Sequence, residues 1–172
     1  MVQLYEWQPV GEQMEVLTDS DWATCRLTRR SCSGGVIRRG THILGHWSKV
    51  QGKIAPSSGE AELFAANVGL SQFAGVINLQ RELHSESFGE GKLSHCTDAS
   101  ACRGILLRRG AGAIKHLEVR DLWGQEMVRR YNLEVRKLPR ALNPSDLLAS
   151  ASDAKSFEEH LTQLGVWFEM DF

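Results

Sequence analysis

A chain of 172 residues with 42% hydrophobic content is one domain's worth of sequence, enough to bury a core without disulfides or metals as staples. A formal net charge of −1 excludes global attraction to polyanions, so any nucleic-acid contact must come from local basic pairs such as Arg29-Arg30, Arg38-Arg39, Arg108-Arg109 and Arg129-Arg130. Cys25, Cys32, Cys96 and Cys102 form no Cys-x-x-Cys pair and suggest neither a zinc site nor a disulfide framework. Reduced thiols fit an intracellular setting, cytoplasmic or nuclear. No basic start precedes an apolar run and no apolar stretch reaches membrane-spanning length, so the expectation is a soluble, unsecreted protein with no membrane partner.

In chain order, residues 1–12 lack periodicity and read as a leader or upstream linker. "MEVLTDSDW" alternates as a strand ending in a polar turn, and "SGGVIRRGTHILGHWSK" reads as two strands around a turn at Arg39-Gly40. "PSSGEAELFAANVGLSQFAGVINLQRELHSE" is a long helix with Leu63, Ala66, Leu70, Phe73 and Ile77 on one stripe. "KLSHCTD" is a short strand and "ASACRGILLRR" a helix, the crossover that a parallel pairing needs. "RGAGAIKH" is a loop, "LEVRDLWGQEMVRRY" a third helix, and "NLEVRKLP" a last strand. "NPSDLLASA" starts a helix with Asn143 as its cap, and "DAKSFEEHLTQLG" forms one more that stops at Gly165. The order implies an α/β domain with one mixed sheet, antiparallel at its start and parallel at its finish.

Four carboxylates fall at the ends of elements: Asp19, Glu62, Asp98 and Asp146. Taken singly, Asp19 can open a turn, Asp98 can cap the helix after it, and Asp146 can favour a helix dipole. Glu62 has no such account. At about 100° per residue it lies nearer the apolar stripe, whereas Glu60 shares a side with Asn67 and Ser71. A carboxylate turned toward the core needs a partner, and carboxylates with little sulfur or imidazole nearby select Mg²⁺ or Mn²⁺. Several of them at strand ends would hold two such ions roughly 3.5–4 Å apart, the spacing used for phosphodiester displacement.

The blocks "TDSDWATCRLTRRSCSGGV", "HWSKVQGKIAPSSGEAELFAA", "HCTDASACRGIL", "IKHLEVRDLWGQEMV" and "KLPRALNPSDLLA" together resemble the ribonuclease H domain of copia-type (Pseudoviridae) retrotransposon polyproteins. The likeness covers roughly residues 14–165. It implies a ribonuclease H-like fold, a five-stranded mixed sheet in the order 3-2-1-4-5 flanked by helices. The domain would occupy residues 13–153, with a C-terminal helix and tail over 154–172. It also implies an enzyme, an endoribonuclease that hydrolyses the RNA strand of RNA/DNA hybrids within reverse transcription, or a domesticated copy. Asp19, Glu62, Asp98 and Asp146 match the metal-binding acids for two Mg²⁺, with Mn²⁺ as a substitute, and a reverse transcriptase domain upstream is the implied partner. Strand alternation leaves Asp19 and Asp21 on one face, and the motif favours Asp19.

Hybrid recognition would fall to Ser20, Thr24, Ser57, Ser58 and Ser100 near the minor groove, and to Thr28, Arg29, Arg30 and Ser31 along a backbone path. Many ribonucleases H carry a histidine in the loop before the last helix. Here that loop is "LPRALNPSD" with Arg140, and His116 is the nearest catalytic substitute. The alternative function is a catalytically weak or inactive ribonuclease H-like domain acting as a nucleic-acid-binding module.

Overall fold

The computed structural model describes residues 2–3, 5–9, 13–84, 91–114 and 117–167. A short strand, β1 (Val2–Gln3), is followed by three longer antiparallel ones, β2 (Met14–Ser20), β3 (Cys32–Arg39) and β4 (His42–Val50). Gly40, at a φ of 55°, sits in the left-handed conformation that the two-residue link between β3 and β4 requires. The long helix α1 (Ser58–His84) leads to β5 (Leu93–Thr97), α2 (Ser100–Leu107), α3 (Trp123–Arg130) and β6 (Glu134–Lys137). One-turn α4 (Asp146–Ala149), α5 (Ala154–Gln163) and β7 (Val166–Trp167) complete the order.

The main sheet runs β4-β3-β2-β5-β6, with β5 and β6 parallel to β2. Counted from β2, this is the expected 3-2-1-4-5. Because β4 also runs parallel to β2, the C-terminal ends of β2, β4, β5 and β6 and the start of α1 share one end of the sheet. That end gathers the four acids.

The helix stripe behaves as its spacing predicts. Leu63, Ala66, Leu70, Phe73 and Ile77 pack on Met14, Val16 and Ile37 of the sheet and on Leu106 and Met127 of α2 and α3. Burying a side chain such as Phe73 or Leu70 contributes about 1.5–3 kcal/mol. On the opposite face, Val36 and Ile43 meet Leu148, Leu161, Leu164 and Val166 from α4, α5 and β7. Gly34 makes the α4 contact possible: a Cβ there would lie 2.5 Å from the Ser145 carbonyl oxygen and 2.6 Å from Ala149 N.

Three local expectations differ from the structure. The third helix is interrupted. Residues Val119–Leu122 form a separate 3₁₀ turn, where the Asp121 carboxylate accepts from Glu118 N at 3.1 Å and pairs with Lys53 Nζ at 2.5 Å. Asn143 does not cap α4, whose N-cap is Ser145; its Nδ2 donates instead to the Thr18 carbonyl at 3.1 Å, tying the last loop to β2. Glu60, expected on the side away from the core, is buried; its Oε1 accepts from Ser57 Oγ at 2.9 Å and its N–H donates to the same Ser57 Oγ at 3.3 Å, so Ser57 caps α1.

In the segment expected to be a leader, Val2–Gln3 pair antiparallel with Val166–Trp167. Tyr5 Oη donates to the Ile43 carbonyl at 3.0 Å, and Gln8 Nε2 to the Arg39 carbonyl at 2.8 Å. No helix among the described residues is long and apolar enough to cross a membrane.

Candidate active site

Asp19 lies near the end of β2, Glu62 in the second turn of α1, and Asp98 just past β5. Each offers one carboxylate oxygen to a group whose members all lie within 4.8 Å of one another. Asp19 and Glu62 are buried and Asp98 is half-buried. Asp98 does not serve as a helix cap: the N-cap of α2 is Ala99, which has no side-chain capping bond, and Ala99 N donates to Thr97 Oγ1 at 3.1 Å. Its carboxylate is left to the cluster.

Asp146, buried at the start of α4, lies close enough to Asp19 for its charge to act on it. Its own Oδ1 accepts from Arg140 at 3.0 Å and from Ser150 Oγ at 3.3 Å. Asp21, which sequence alternation could not separate from Asp19, is committed elsewhere: its carboxylate accepts from Cys32 N and from Thr24 Oγ1, closing the loop after β2.

Four acids in so small a volume repel one another. Burial first, and then the charges of Asp98 and Asp146, push the Asp19 carboxyl up to about 7. Burial, then Asp19 and Asp98, push Glu62 up to about 9. Burial also raises Asp98, against the pull of Arg140. Glu62 Oε1 accepts from Ser20 N at 3.2 Å, but its Oε2 is buried without a hydrogen-bond partner among the described residues. An orphaned buried carboxylate oxygen facing two further carboxylates fits a hard divalent cation, because the donor set is all oxygen.

The fold is matched in known structures. A ribonuclease H1 from the archaeon Halobacterium salinarum superposes with a TM-score of 0.57 at 17% identity, over 80% of this chain and 94% of that one. A ribonuclease H1 isolated from compost by a metagenomic approach superposes at 0.61 and 15% identity, over 87% and 99%. The chain has the ribonuclease H fold. A crystal structure of the compost protein in complex with an RNA/DNA hybrid matches at 0.55 and 15% identity, over 79% and 93%. Among curated proteins, the retrovirus-related Pol polyprotein of transposon TNT 1-94 from Nicotiana tabacum is 29% identical over 146 residues, 82% of this chain. The chain spans 10% of that polyprotein's length. No protein-family model matches the chain.

Within the ribonuclease H fold, the residues expected to meet nucleic acid divide into engaged and available groups. Ser20 Oγ donates to the Asp21 carbonyl at 2.7 Å and accepts from Gln51, Ser57 caps α1, and Ser31 is buried with its Oγ accepting from Ala23 N at 3.0 Å. Thr24 holds Asp21, and Thr28 Oγ1 accepts from Arg30 N at 3.4 Å. Exposed Ser58 and Ser100 stand at the first residues of α1 and α2, Ser100 Oγ accepting from Lys137 Nζ at 2.6 Å while its own proton is left to donate, and a Cβ on Gly59 would lie 3.0 Å from that of Ala101. The two helix starts are therefore neighbours. Arg29 and Arg30 are exposed on the loop between β2 and β3, at the same end of the sheet as the acids. His116 lies outside the described residues.

Three contributors had no signal in the linear sequence. Gln51 is buried among Ser20, Ser33 and Ala61, and Asn143 reaches Thr18. His95, fully buried and pushed down to about 4 by that burial, joins β5 to β2 by an Nε2 to Thr18 Oγ1 contact of 2.9 Å.

Proposed function

We propose that this chain is the ribonuclease H domain of a copia-type retrotransposon polyprotein, or a domesticated copy, and that it cleaves the RNA strand of RNA/DNA hybrids. The observation that carries the reading is the Asp19-Glu62-Asp98 group with its orphaned Glu62 oxygen, set at one end of a ribonuclease H sheet with Asp146 beside it. These four acids would hold two Mg²⁺, or Mn²⁺ in its place. When bound, the ions supply an activated water and neutralise charge that develops on the phosphate.

The chain's own groups prepare that chemistry. Ser20 N fixes one Glu62 oxygen, Arg140 fixes Asp146, and half-burial leaves Asp98 open to substrate. Arg140, with a side chain 71% exposed, can reach a phosphate while it keeps Asp146. Ser58 and Ser100 present hydroxyls at paired helix starts, suited to the 2′-hydroxyls of a minor groove. Arg29 and Arg30 would steady the phosphate backbone further out. An upstream reverse transcriptase domain is the partner this setting implies, and residues 13–153 are the unit that would join it. The four free cysteines, two of them buried, suit an intracellular location, cytoplasmic or nuclear.

The test is a panel of end-labelled RNA/DNA, RNA/RNA and DNA/DNA duplexes, each incubated with the protein in Mg²⁺ or in EDTA. Cleavage confined to the RNA strand of the hybrid and abolished by EDTA is expected. Equal cleavage of all three duplexes, or binding of the hybrid without cleavage, would contradict the reading; the latter would favour a binding module.

A further inference from the structure

Gln51 follows β4 and is 7% exposed. Its backbone N–H donates to the Ser31 carbonyl at 2.8 Å, which anchors the residue at the sheet end. Its side-chain nitrogen lies 3.2 Å from Ser20 Oγ, 2.9 Å from Ser33 Oγ and 2.9 Å from the Ala61 carbonyl. One amide thus spans β2, β3 and α1. The Ser20 hydroxyl already spends its proton on the Asp21 carbonyl, so toward Gln51 it can only accept.

Two of these contacts adjoin Glu62. Ser20 is the residue whose N–H holds Glu62 Oε1, and Ala61 is its neighbour in α1. The arrangement is costly as pure structure: Gln51 Oε1 is buried with no partner among the described residues, and such an orphaned acceptor is unfavourable. An apolar side chain of the same length would fill the space without that penalty.

We propose that Gln51 is a positioning residue for Glu62. Through Ser20 and the first turns of α1 it keeps the Glu62 carboxylate within reach of Asp19 and Asp98. This rests on the cation-binding reading of that cluster. Outer partners of metal ligands typically change metal affinity by 10- to 100-fold when lost, and about tenfold is expected here.

The experiment is Mn²⁺ titration of the full chain, followed by electron paramagnetic resonance, for wild type, Asp98→Asn, Gln51→Met and Gln51→Asn, with metal-free thermal unfolding in parallel. Gln51→Met removes the amide at constant length. Gln51→Asn keeps it but shortens its reach, and serves should the first variant not fold. Both are expected to bind Mn²⁺ about tenfold more weakly while still folded, and to lower kcat on the hybrid with KM unchanged. A purely structural role would lower the unfolding midpoint and leave the Mn²⁺ affinity of the folded protein as in wild type, and that result overturns the proposal. If Asp98→Asn weakens Mn²⁺ binding and both Gln51 variants do not, the Gln51 role alone fails. If wild type binds no Mn²⁺, the cation reading fails and this inference with it.

Discussion

Ser20 N donates to Glu62 Oε1 across 3.2 Å, joining the end of β2 to the second turn of α1, so the residue after Asp19 fixes the next acid. The bond satisfies one carboxylate oxygen and leaves the other buried without a partner among the described residues. That asymmetry makes the cluster sensitive to pH and to cations.

In metal-free protein, stability is expected to fall as pH rises. The folded-state carboxyls of Asp19 and Glu62 stand at about 7 and about 9, above their ordinary values of 3.8 and 4.5. The folded protein therefore holds protons that the unfolded chain has released. Their contribution is complete below the ordinary values and is lost as pH climbs through 7 and then 9. Thermal unfolding in EDTA at pH 8 should show Glu62→Gln more stable than wild type, and added Mg²⁺ should raise the wild-type midpoint more than the variant's. A wild-type midpoint in EDTA that stays flat from pH 5 to pH 9 would contradict this.

Arg140 is itself largely exposed but pairs with a buried Asp146, so removing the guanidinium strands a buried carboxylate beside Asp19. Arg140→Ala should accordingly lower the unfolding midpoint as well as weaken hybrid binding. If Arg140 contacts a phosphate, the slope of log KM for the hybrid against log salt should decrease in magnitude by about one. An unchanged slope would remove Arg140 from the substrate path.

Gly34 is where β3 meets α4, the helix that opens on Asp146. A methyl group at 34 meets backbone atoms that cannot swing aside, so Gly34→Ala should destabilise by about 1–3 kcal/mol and slow cleavage by displacing Asp146. Gly45→Ala in β4 is the matched control, since a Cβ there has nothing within 4 Å. Paired melting curves and cleavage rates for the two variants check the claim, and equal behaviour would contradict it.

How much of this was legible in the sequence varies by residue. A mixed sheet, antiparallel first and parallel last, and the long helix follow from period-2 and helical spacing, because Val16, Ile37, Leu63 and Phe73 are all core residues, whereas the strand order 3-2-1-4-5 was implied by the resemblance to ribonuclease H domains. Asp19 and Asp98 stood out as strand-end acids and Glu62 as an acid next to an apolar stripe. The burial of Glu60 was not legible from helical spacing, which says nothing of its contact with Ser57 at the start of the helix. Asn143 and Gln51 act through partners far along the chain, Thr18 and Ser20, which no local pattern encodes. The break before α3 has the same origin, since Asp121 answers to Lys53 as well as to its own helix.

As proposed, Asp98 and its neighbours form a cation-dependent nuclease centre. Single-turnover cleavage of a hybrid with a labelled RNA strand, in Mg²⁺, by wild type and by Asp98→Asn tests this most directly. The account predicts RNA fragments with 3′-hydroxyl and 5′-phosphate ends from wild type, and a rate lower by at least about 100-fold in the variant, the scale of losing a preorganised electrostatic group. Equal rates from the two proteins, or an intact RNA strand with wild type, would contradict it.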